Sequence, residues 1–183
     1  IDPLLNSGRV QIAFSGKAHP LDDTGKAIVA NLVQMMKKYP NSVVFLENYD
    51  MNIGRMLTRG SDIWLNNPRR PLEASGTSGM KAAMNGVLNC SILDGWWPVA
   101  CNDGVNGWQF GNGKSVDDFK SVEELDKNDS DALYDTLLNR VIPTYYENKN
   151  KWEKMMIESI KSTREYFSTK RMLEEYYKEL YMK

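Results

Sequence analysis

One lysine and one carboxylate stand within a stretch of small residues and are the first candidates for chemistry. Lys81 follows the run EASGTSGM, and Glu73 lies eight positions before it. Small residues let backbone N–H groups approach a ligand without obstruction by a Cβ atom. Such amides bind anions at a helix N-terminus, because the donors of the first turn are unpaired and the helix dipole favours negative charge. The stretch therefore predicts an anion-binding loop with a reactive amine beside it.

Alternating apolar and turn-forming segments predict the elements that position this stretch. Strands are predicted at Val10–Phe14, Val43–Leu46, Ser61–Leu65 and Val87–Leu93. Helices are predicted at Thr24–Lys38 (with Asp23 or Thr24 as N-cap), Asn52–Thr58 and Met80–Met84. This order indicates an α/β domain with a Rossmann-like parallel sheet and flanking helices. Ligands bind beyond the carboxyl ends of such strands, so we expect the segments Gly16-Lys17, Asn48-Tyr49 and Glu73 to Thr77 to form one site.

The remainder of the chain has a different composition. The segment DGWWPVACNDGVNGWQFGNGK, from Asp94, is rich in Gly, Asn and Trp and predicts a loop with aromatic anchors. A helical remainder begins at Val122 to Leu125. Apolar residues at helical spacing then predict helices at Asp131–Ile142, Lys151–Tyr166 and Lys170–Lys183.

Length and charge limit the classes of function. A chain of 183 residues can bury one sizeable core. The 23 basic and 24 acidic residues give no basic field for nucleic acid, and no apolar run is long enough to span a bilayer. The N-terminus lacks a signal pattern, so we expect a cytoplasmic protein and interpret Ile1 as a cut end within a longer polypeptide. Cys90 and Cys101 predict no disulfide framework and no metal site, and Cys90 is expected to be a small buried hydrophobe.

Several motifs resemble one known family. EASGTSGMKAAMNG, followed by LNCSILDGWW, resembles the pyridoxal phosphate site of the α-glucan (glycogen, starch or maltodextrin) phosphorylases, and is similar to their shorter bacterial and archaeal members. FSGKAHP and VVFLENYD fit the same family in order and spacing. The resemblance runs from about Val10 to Trp108 and more loosely to the C-terminus.

The resemblance implies a fold and a set of site residues. It implies the C-terminal domain of a two-domain GT-B fold, with residues 1–166 as that domain and residues 167–183 as a helix that crosses to a missing N-terminal domain. Lys81 would bind the aldehyde of pyridoxal 5′-phosphate. The other implied contacts are, for the cofactor, Thr77, Ser78, Gly79 and Tyr49, and, for the sugar, Glu73, Ala74, Ser75 and Gly76.

The resemblance also implies an activity. The family transfers a terminal glucosyl unit of an α-1,4-glucan to inorganic phosphate with retention and releases α-glucose 1-phosphate. The cofactor's phosphate, rather than its aldehyde, takes part in proton transfer there. The implied partners are glucan, phosphate and the missing N-terminal half, with a homo-oligomer possible. The family's basic phosphate-contacting segment would precede Ile1, so we expect the isolated chain to be inactive.

The residues themselves leave alternatives open. On local physics Lys81 is a surface lysine, although the start of a helix is a poor place for a cation; as a Schiff-base lysine it needs the lowered basicity that such a crowded, electropositive setting provides. Thr77, Ser78 and Gly79 are expected to cap the helix and could also bind phosphate. Glu73 is either a sugar ligand, since carboxylates accept from adjacent hydroxyls, or the ion-pair partner of Arg69 or Arg70.

Other conspicuous residues have mainly structural interpretations. His19 is interpreted as a turn residue, with no base–nucleophile pair around it, and Lys17 in the same turn could reach the ligand-binding edge. Tyr49 either packs at that edge or lies near the cofactor, and Asp50 replaces the Arg found there in many longer phosphorylases. The pair Trp96-Trp97 is interpreted as a packing anchor.

Two rival functions are considered beside the phosphorylase. A nucleotide-sugar glycosyltransferase of the same fold commonly carries a second Glu eight positions after the first, but Lys81 occupies that position here. A noncatalytic carbohydrate- or partner-binding module is the rival from another class. A nucleotide P-loop is excluded, because Gly76 and Gly79 are too close together and Ala follows Lys81.

Overall fold

The chain forms an α/β structure in which every strand pairing is parallel. The computed structural model describes residues 2–182. Two sheets are present there, one with the strand order β1-β2 and one with the order β3-β4-β5. The strands are β1 (Ile12–Ser15), β2 (Val43–Leu46), β3 (Ile63–Asn66), β4 (Leu88–Ile92) and β5 (Gly107–Phe110). The predicted α/β class with parallel strands and flanking helices is confirmed, but the strands belong to two sheets.

Helices connect the strands and make up most of the C-terminal part of the chain. They are α1 (Asp2–Asn6), α2 (Asp23–Lys38), α3 (Met51–Gly60), α4 (Thr77–Met84), α5 (Trp97–Ala100), α6 (Val122–Thr136), α7 (Ile142–Glu147), α8 (Lys149–Arg164) and α9 (Thr169–Tyr176). Within residues 2–182, none of these helices combines the length and the apolar character needed to cross a bilayer.

The described residues divide into two compact units, one up to Met56 and one from Leu57 onward. The first contains β1, β2 and α2. Its core is formed by Leu5, Tyr39 and Val43, against which Ile12, Phe14, Met35 and Met36 pack. The prediction of one domain over residues 1–166, followed by a separate helix, stays a prediction; Ile1 and Lys183, the ends of its two ranges, lie outside the described residues.

The start of α2 differs by one residue from the sequence prediction. The N-cap is Asp22, not Asp23 or Thr24, and its Oδ1 accepts a hydrogen bond from Gly25 N at 2.8 Å. An aspartate at this position satisfies a first-turn amide that has no partner within the helix. Asp23 instead lies in the first turn and forms an ion pair with Lys26.

The core of the second unit is built on β4, which is buried along its whole length. Cys90 is in register with Trp108, and Ile92 with Phe110, so these side chains share one face of the sheet. They form a core cluster together with Leu88, Val141, Trp152 and Met155. Cys90 is fully buried, which confirms the prediction of a small, buried residue, and this burial raises the pKa of its thiol to about 12.

The segment from Asp94 to Lys114 is not the plain loop that its composition predicts. It contains α5 and β5, and both tryptophans within these two elements, Trp97 and Trp108, are 1% exposed. The indole N–H of Trp97 donates to the Trp108 carbonyl at 3.3 Å. Burying two such large aromatic side chains orders a segment whose Gly and Asn residues favour turns. The interpretation of Trp96-Trp97 as a packing anchor is confirmed.

The helical remainder begins at Val122, as predicted, but is less regular than predicted. α6 begins at Val122 after the N-cap Ser121, and a π-helical turn, Leu137–Val141, joins it to α7. α9 likewise continues into a π-helical turn, Tyr177–Tyr181. Tyr176, Tyr177 and Tyr181 are exposed there. Whether this helix crosses to another domain stays a prediction.

Replacement of the first residue of β4, Leu88, tests the importance of this core. Leu88 is fully buried, so Leu88→Ala should lower the free energy of unfolding by about 2–5 kcal/mol through lost apolar burial and the remaining cavity. Leu65→Ala on the adjacent strand is the control, because Leu65 is 42% exposed and should cost much less. All five tryptophans lie after residue 56, so urea unfolding followed by tryptophan fluorescence reports on this unit. Equal losses for the two variants would contradict the assignment of β4 as the core strand.

Candidate functional site

The loop between β3 and α4, residues 67–76, carries the candidate site. Because β3 and β4 are parallel, their carboxyl ends meet at one edge of the sheet. The loop follows Asn66, the last residue of β3, and Asp94 comes two residues after β4. Glu73 N donates to Asp94 Oδ2 at 2.9 Å, so the two segments are in contact at that edge.

The first half of the loop is held by residues from later in the chain. Arg69 forms two parallel hydrogen bonds to Asp126 of α6, Nε to Oδ1 and Nη2 to Oδ2, both at 2.7 Å. Through these bonds Arg69 lowers the pKa of Asp126 below its ordinary value, and Asp126 raises the pKa of Arg69. The Arg70 side chain donates to the Gly113 carbonyl, and the Arg70 carbonyl accepts from Val116 N at 3.1 Å.

The second half of the loop is held by the turn that follows β4. Asp94 is only 8% exposed, and its two carboxylate oxygens accept from Glu73 N and Gly95 N, each at 2.9 Å. Trp96 N donates to the Ser75 carbonyl at 2.9 Å. Two residues of the turn, Asp94 and Trp96, therefore hold the loop backbone at Glu73 and Ser75, just before Gly76.

Gly95 allows the turn and the loop to approach this closely. It has φ +57°, and a Cβ atom added there would lie 2.6 Å from the Ser75 carbonyl oxygen and 2.9 Å from Glu73 Cγ. Only glycine avoids both the backbone strain and the clash. Sequence reasoning gave no role to Asp94 or Gly95, although an Asp-Gly pair directly after a predicted strand is a signal for a tight turn.

The Glu73 side chain is half-buried and lies beside the start of α4. Its Oε1 is 3.5 Å from the position that a Cβ atom on Gly76 would occupy. Among the residues of the described chain, no cation forms an ion pair with Glu73, since Arg69 pairs with Asp126 and Arg70 binds a carbonyl. The alternative of an ion pair with either arginine is therefore wrong, and the carboxylate remains available to a ligand.

The first turn of α4 has unpaired donors. The N-cap is Gly76, with φ +81° and no side-chain hydrogen bond, so the prediction that Thr77, Ser78 and Gly79 cap the helix is wrong. Gly79 N bonds to the Gly76 carbonyl at 3.1 Å, but the amides of Thr77 and Ser78 have no acceptor within residues 2–182. Both residues are exposed. Free amides at the positive end of a helix favour an anionic ligand.

Lys81 lies in a different position from the one predicted. α4 begins at Thr77, three residues before the predicted start, so Lys81 falls in the last turn and is exposed. The predicted crowded, electropositive setting at the helix start is therefore wrong. The backbone carbonyl of Lys81 accepts a hydrogen bond from Asn85 Nδ2 at 2.7 Å. A lysine near the C-terminus of a helix is favourable for the dipole, so the helix itself gives no reason for special reactivity.

Two buried side chains position α4 on the sheet. Asn89 of β4 donates from Nδ2 to the Gly79 carbonyl at 3.1 Å. A Cβ atom on Gly79 would lie 2.7 Å from Trp96 Nε1 and 2.8 Å from Asn89 Oδ1, so the helix packs directly on both side chains. Sequence reasoning interpreted Trp96 only as an anchor and gave no role to Asn89. A polar residue within an apolar strand was the available signal.

In the first unit, Tyr49 and Asp50 are both associated with the start of α3. Asp50 Oδ1 accepts from Ile53 N at 2.8 Å and so satisfies a first-turn amide. The Tyr49 hydroxyl lies 2.6 Å from the position of a Cβ atom on Gly54, and the residue is 42% exposed. This geometry explains Asp50 as a helix-capping residue. A role for Tyr49 in cofactor binding stays a prediction, as does a common site for the first-unit motifs and Glu73.

The remaining candidates in the first unit are exposed. His19 Nδ1 accepts from Leu21 N at 3.1 Å, which confirms its interpretation as a turn residue. Lys17 is exposed beside Gly16, and its predicted reach to a ligand stays a prediction. Within residues 2–182, no three His, Cys, Asp or Glu side chains are grouped closely enough to hold a metal ion.

Comparison with known proteins identifies the family. The family model described as carbohydrate phosphorylase matches residues 6–127, about two-thirds of the chain. The chain belongs to the carbohydrate phosphorylase family. The matched part includes β1 to β5 and the whole candidate loop.

Curated relatives within this family are similar over nearly the whole chain. A maltodextrin phosphorylase of Thermococcus litoralis is 51% identical over 95% of this chain, and a glycogen phosphorylase of Aquifex aeolicus is 46% identical over 95%. A glycogen phosphorylase of Mycobacterium bovis is 40% identical over 97%. The chain spans only 21–25% of the length of these three phosphorylases.

The residues of α4 fit the cofactor that the resemblance implies. Pyridoxal phosphate needs an amine for its aldehyde and several donors for its phosphate. The amine of Lys81 is exposed, and Lys81 follows Thr77 by four positions, which places both on one side of the helix. The amides and hydroxyls of Thr77 and Ser78 are the available donors. Gly76 adds no side chain in front of them.

The stabilisation that the Arg69–Asp126 ion pair gives to the folded protein should decrease at low pH. Since Arg69 lowers the pKa of Asp126 in the folded state, the pair stabilises the protein above the ordinary aspartate pKa of about 3.9. This contribution is lost as pH falls through the lowered pKa of the folded state. We expect a coupling energy of about 0.2–1 kcal/mol at pH 7, because both side chains are partly exposed and solvent screens the pair.

A double-mutant cycle with Arg69→Gln and Asp126→Asn, by urea unfolding at pH 7 and pH 2.5, measures this coupling. Asp131→Asn is the matched control, because Asp131 lies on the same helix and pairs with Lys127 rather than with Arg69. Its effect should add to that of Arg69→Gln. Coupling that persists unchanged at pH 2.5 would contradict the assigned pair.

Proposed function

We propose that this chain is the cofactor-binding part of an α-glucan phosphorylase with a GT-B fold. The enzyme transfers a terminal glucosyl unit from an α-1,4-glucan to inorganic phosphate and releases α-glucose 1-phosphate with retention. The family match supports the class of reaction. The observation that carries the proposal is the segment Glu73–Gly76, in which Glu73 N and the Ser75 carbonyl are bonded to the turn after β4. This segment leads directly to amides at the start of α4 that have no acceptor within the described residues.

In this proposal Glu73 and the residues after it bind the sugar. A carboxylate accepts hydrogen bonds from two adjacent hydroxyls, and Glu73 has no cation partner within the described part of the chain. Ala74, Ser75 and Gly76 contribute backbone contacts beside it. Hydrogen bonds at Glu73 N and at the Ser75 carbonyl hold this loop before a substrate arrives, so little reorganisation of the backbone is needed on binding.

In the same proposal α4 holds the cofactor. Lys81 anchors the aldehyde of pyridoxal phosphate, and Thr77, Ser78 and Gly79 bind its phosphate, with Tyr49 as a further contact. When bound, the cofactor supplies a phosphate group that takes part in proton transfer. The chain contributes position and positive potential, through unpaired amides at the helix N-terminus. The opposite wall of the cleft would come from a further domain of the enzyme.

Chemical labelling tests the cofactor lysine. Borohydride reduction of the protein loaded with pyridoxal phosphate should attach a pyridoxyl group to Lys81, and peptide mass mapping locates it. Lys81→Ala should abolish the label. Lys154→Ala is the control, because Lys154 is an exposed lysine on α8 and its loss should leave the label unchanged. A label distributed over several lysines, or retained in Lys81→Ala, would contradict the assignment.

Replacement of Glu73 tests the sugar site. Glu73→Gln keeps the size and the backbone contacts but removes the charge, so it should affect the transition state more than folding. In the complete enzyme we expect kcat/KM to fall by an amount equal to about 2–4 kcal/mol of activation free energy. The assay is release of glucose 1-phosphate from maltodextrin and phosphate. Glu153→Gln, an exposed residue of α8, is the control. Unchanged kinetics in Glu73→Gln would leave Glu73 as a loop acid only.

A further inference from the structure

Asp94 is a buried carboxylate that the proposed chemistry does not use. Burial of a charged group is costly unless hydrogen bonds compensate for the lost water, and both oxygens of Asp94 accept from backbone amides at 2.9 Å. Within residues 2–182, no Lys, Arg or His forms an ion pair with it. Its stabilisation therefore comes from the amides, and hydrogen bonds to an ionised acceptor are stronger than neutral ones.

The hydrogen bonds from these two amides differ in the sequence distance that they span. The bond from Gly95 N is local and belongs to the turn that Asp94 begins. The bond from Glu73 N joins residues 21 positions apart and is not needed to form that turn. A residue that only shaped the turn would need one oxygen. The second oxygen fixes the backbone of the residue whose carboxylate faces the start of α4.

Contacts beside this hydrogen bond also restrict the position of Glu73. The Ser75 carbonyl accepts from Trp96 N at 2.9 Å, and the absence of a Cβ atom on Gly95 lets Glu73 Cγ lie against the turn. Glu73 is therefore confined by its amide at one end and by packing along its side chain. A shift of the Asp94 turn would move the Glu73 side chain with it.

We propose that Asp94 is a positioning residue, which holds Glu73 in the orientation in which its carboxylate binds substrate hydroxyls. The proposal rests on the sugar-binding role proposed for Glu73. Asp94 itself touches no substrate and acts through the Glu73 amide. Because small misplacements of a binding group can lower the rate strongly, loss of this contact should reduce kcat/KM by on the order of 100-fold.

The test is Asp94→Asn in the complete enzyme, combined with Glu73→Gln in a double-mutant cycle. Asparagine keeps the size but offers only one acceptor oxygen, so either Glu73 N or Gly95 N loses its partner. If Asp94 acts through Glu73, the single variant should lose about 100-fold in kcat/KM, and the same change should cost little when Glu73 is already Gln. Equal losses in both backgrounds would overturn the proposal.

Hydrogen–deuterium exchange provides a readout that does not depend on the activity. Asp94→Asn should accelerate exchange in a peptide covering residues 73–76 while the midpoint of urea unfolding stays close to that of the parent. Unchanged exchange in this peptide would overturn the positioning role even if activity fell. If Asp94→Asn accelerates exchange at residues 73–76 but the parent enzyme shows no phosphorolysis, the proposed function is refuted. The contact between Asp94 and the Glu73 amide is then still supported.

Two further variants keep the result interpretable. Asp103→Asn is the matched control, because Asp103 also accepts from a backbone amide, Gln109 N, but its other oxygen binds Arg140 and it touches no part of the loop. It should change neither exchange at residues 73–76 nor kcat/KM. If Asp94→Asn does not fold, Gly95→Ala serves instead, because its Cβ atom displaces Ser75 and Glu73 while the Asp94 carboxylate is retained. Its effect on kcat/KM should be non-additive with that of Glu73→Gln in the same way.

Discussion

The candidate site depends on the hydrogen bonds that the buried Asp94 carboxylate accepts at the edge of the three-stranded sheet. The loop after β3 has no regular structure of its own, so its backbone amides need partners from elsewhere. Asp94 provides one of them, and its negative charge is tolerated in a buried position only because two amides surround it. The loop and the turn thus stabilise each other, and the placement of Glu73 follows from that mutual dependence.

The same arrangement explains the character of the start of α4. Gly76 adopts a left-handed conformation and provides no side-chain cap, which leaves the amides of Thr77 and Ser78 without an acceptor among residues 2–182. A helix of only eight residues would be marginal alone, so its position depends on packing against Asn89 and Trp96. The donors are thereby presented from a fixed helix. Pre-positioned donors of this kind bind an anion without further ordering of the backbone.

Local patterns explain which elements could be predicted. Val43–Leu46 was predicted with its observed bounds, because four consecutive apolar residues between turn signals permit few other structures. The start of α4 was missed, since Thr77, Ser78 and Gly79 carry no apolar periodicity and have low helix propensity. β5 was missed because glycines surround the short sequence WQF, and only packing of Trp108 against the β4 core stabilises it as a strand.

The sequence by itself determined the α/β class, the parallel pairing and the family, because apolar periodicity and contiguous motifs are properties of neighbouring residues. It also placed Glu73 and Lys81 eight positions apart within one loop–helix unit. Only the tertiary structure decided that Arg69 pairs with Asp126, 57 positions away, and that Asp94 binds the Glu73 amide. Such partners depend on which segments the sheet brings together. Hydrogen bonds and ion pairs between distant residues leave no periodic trace in the sequence.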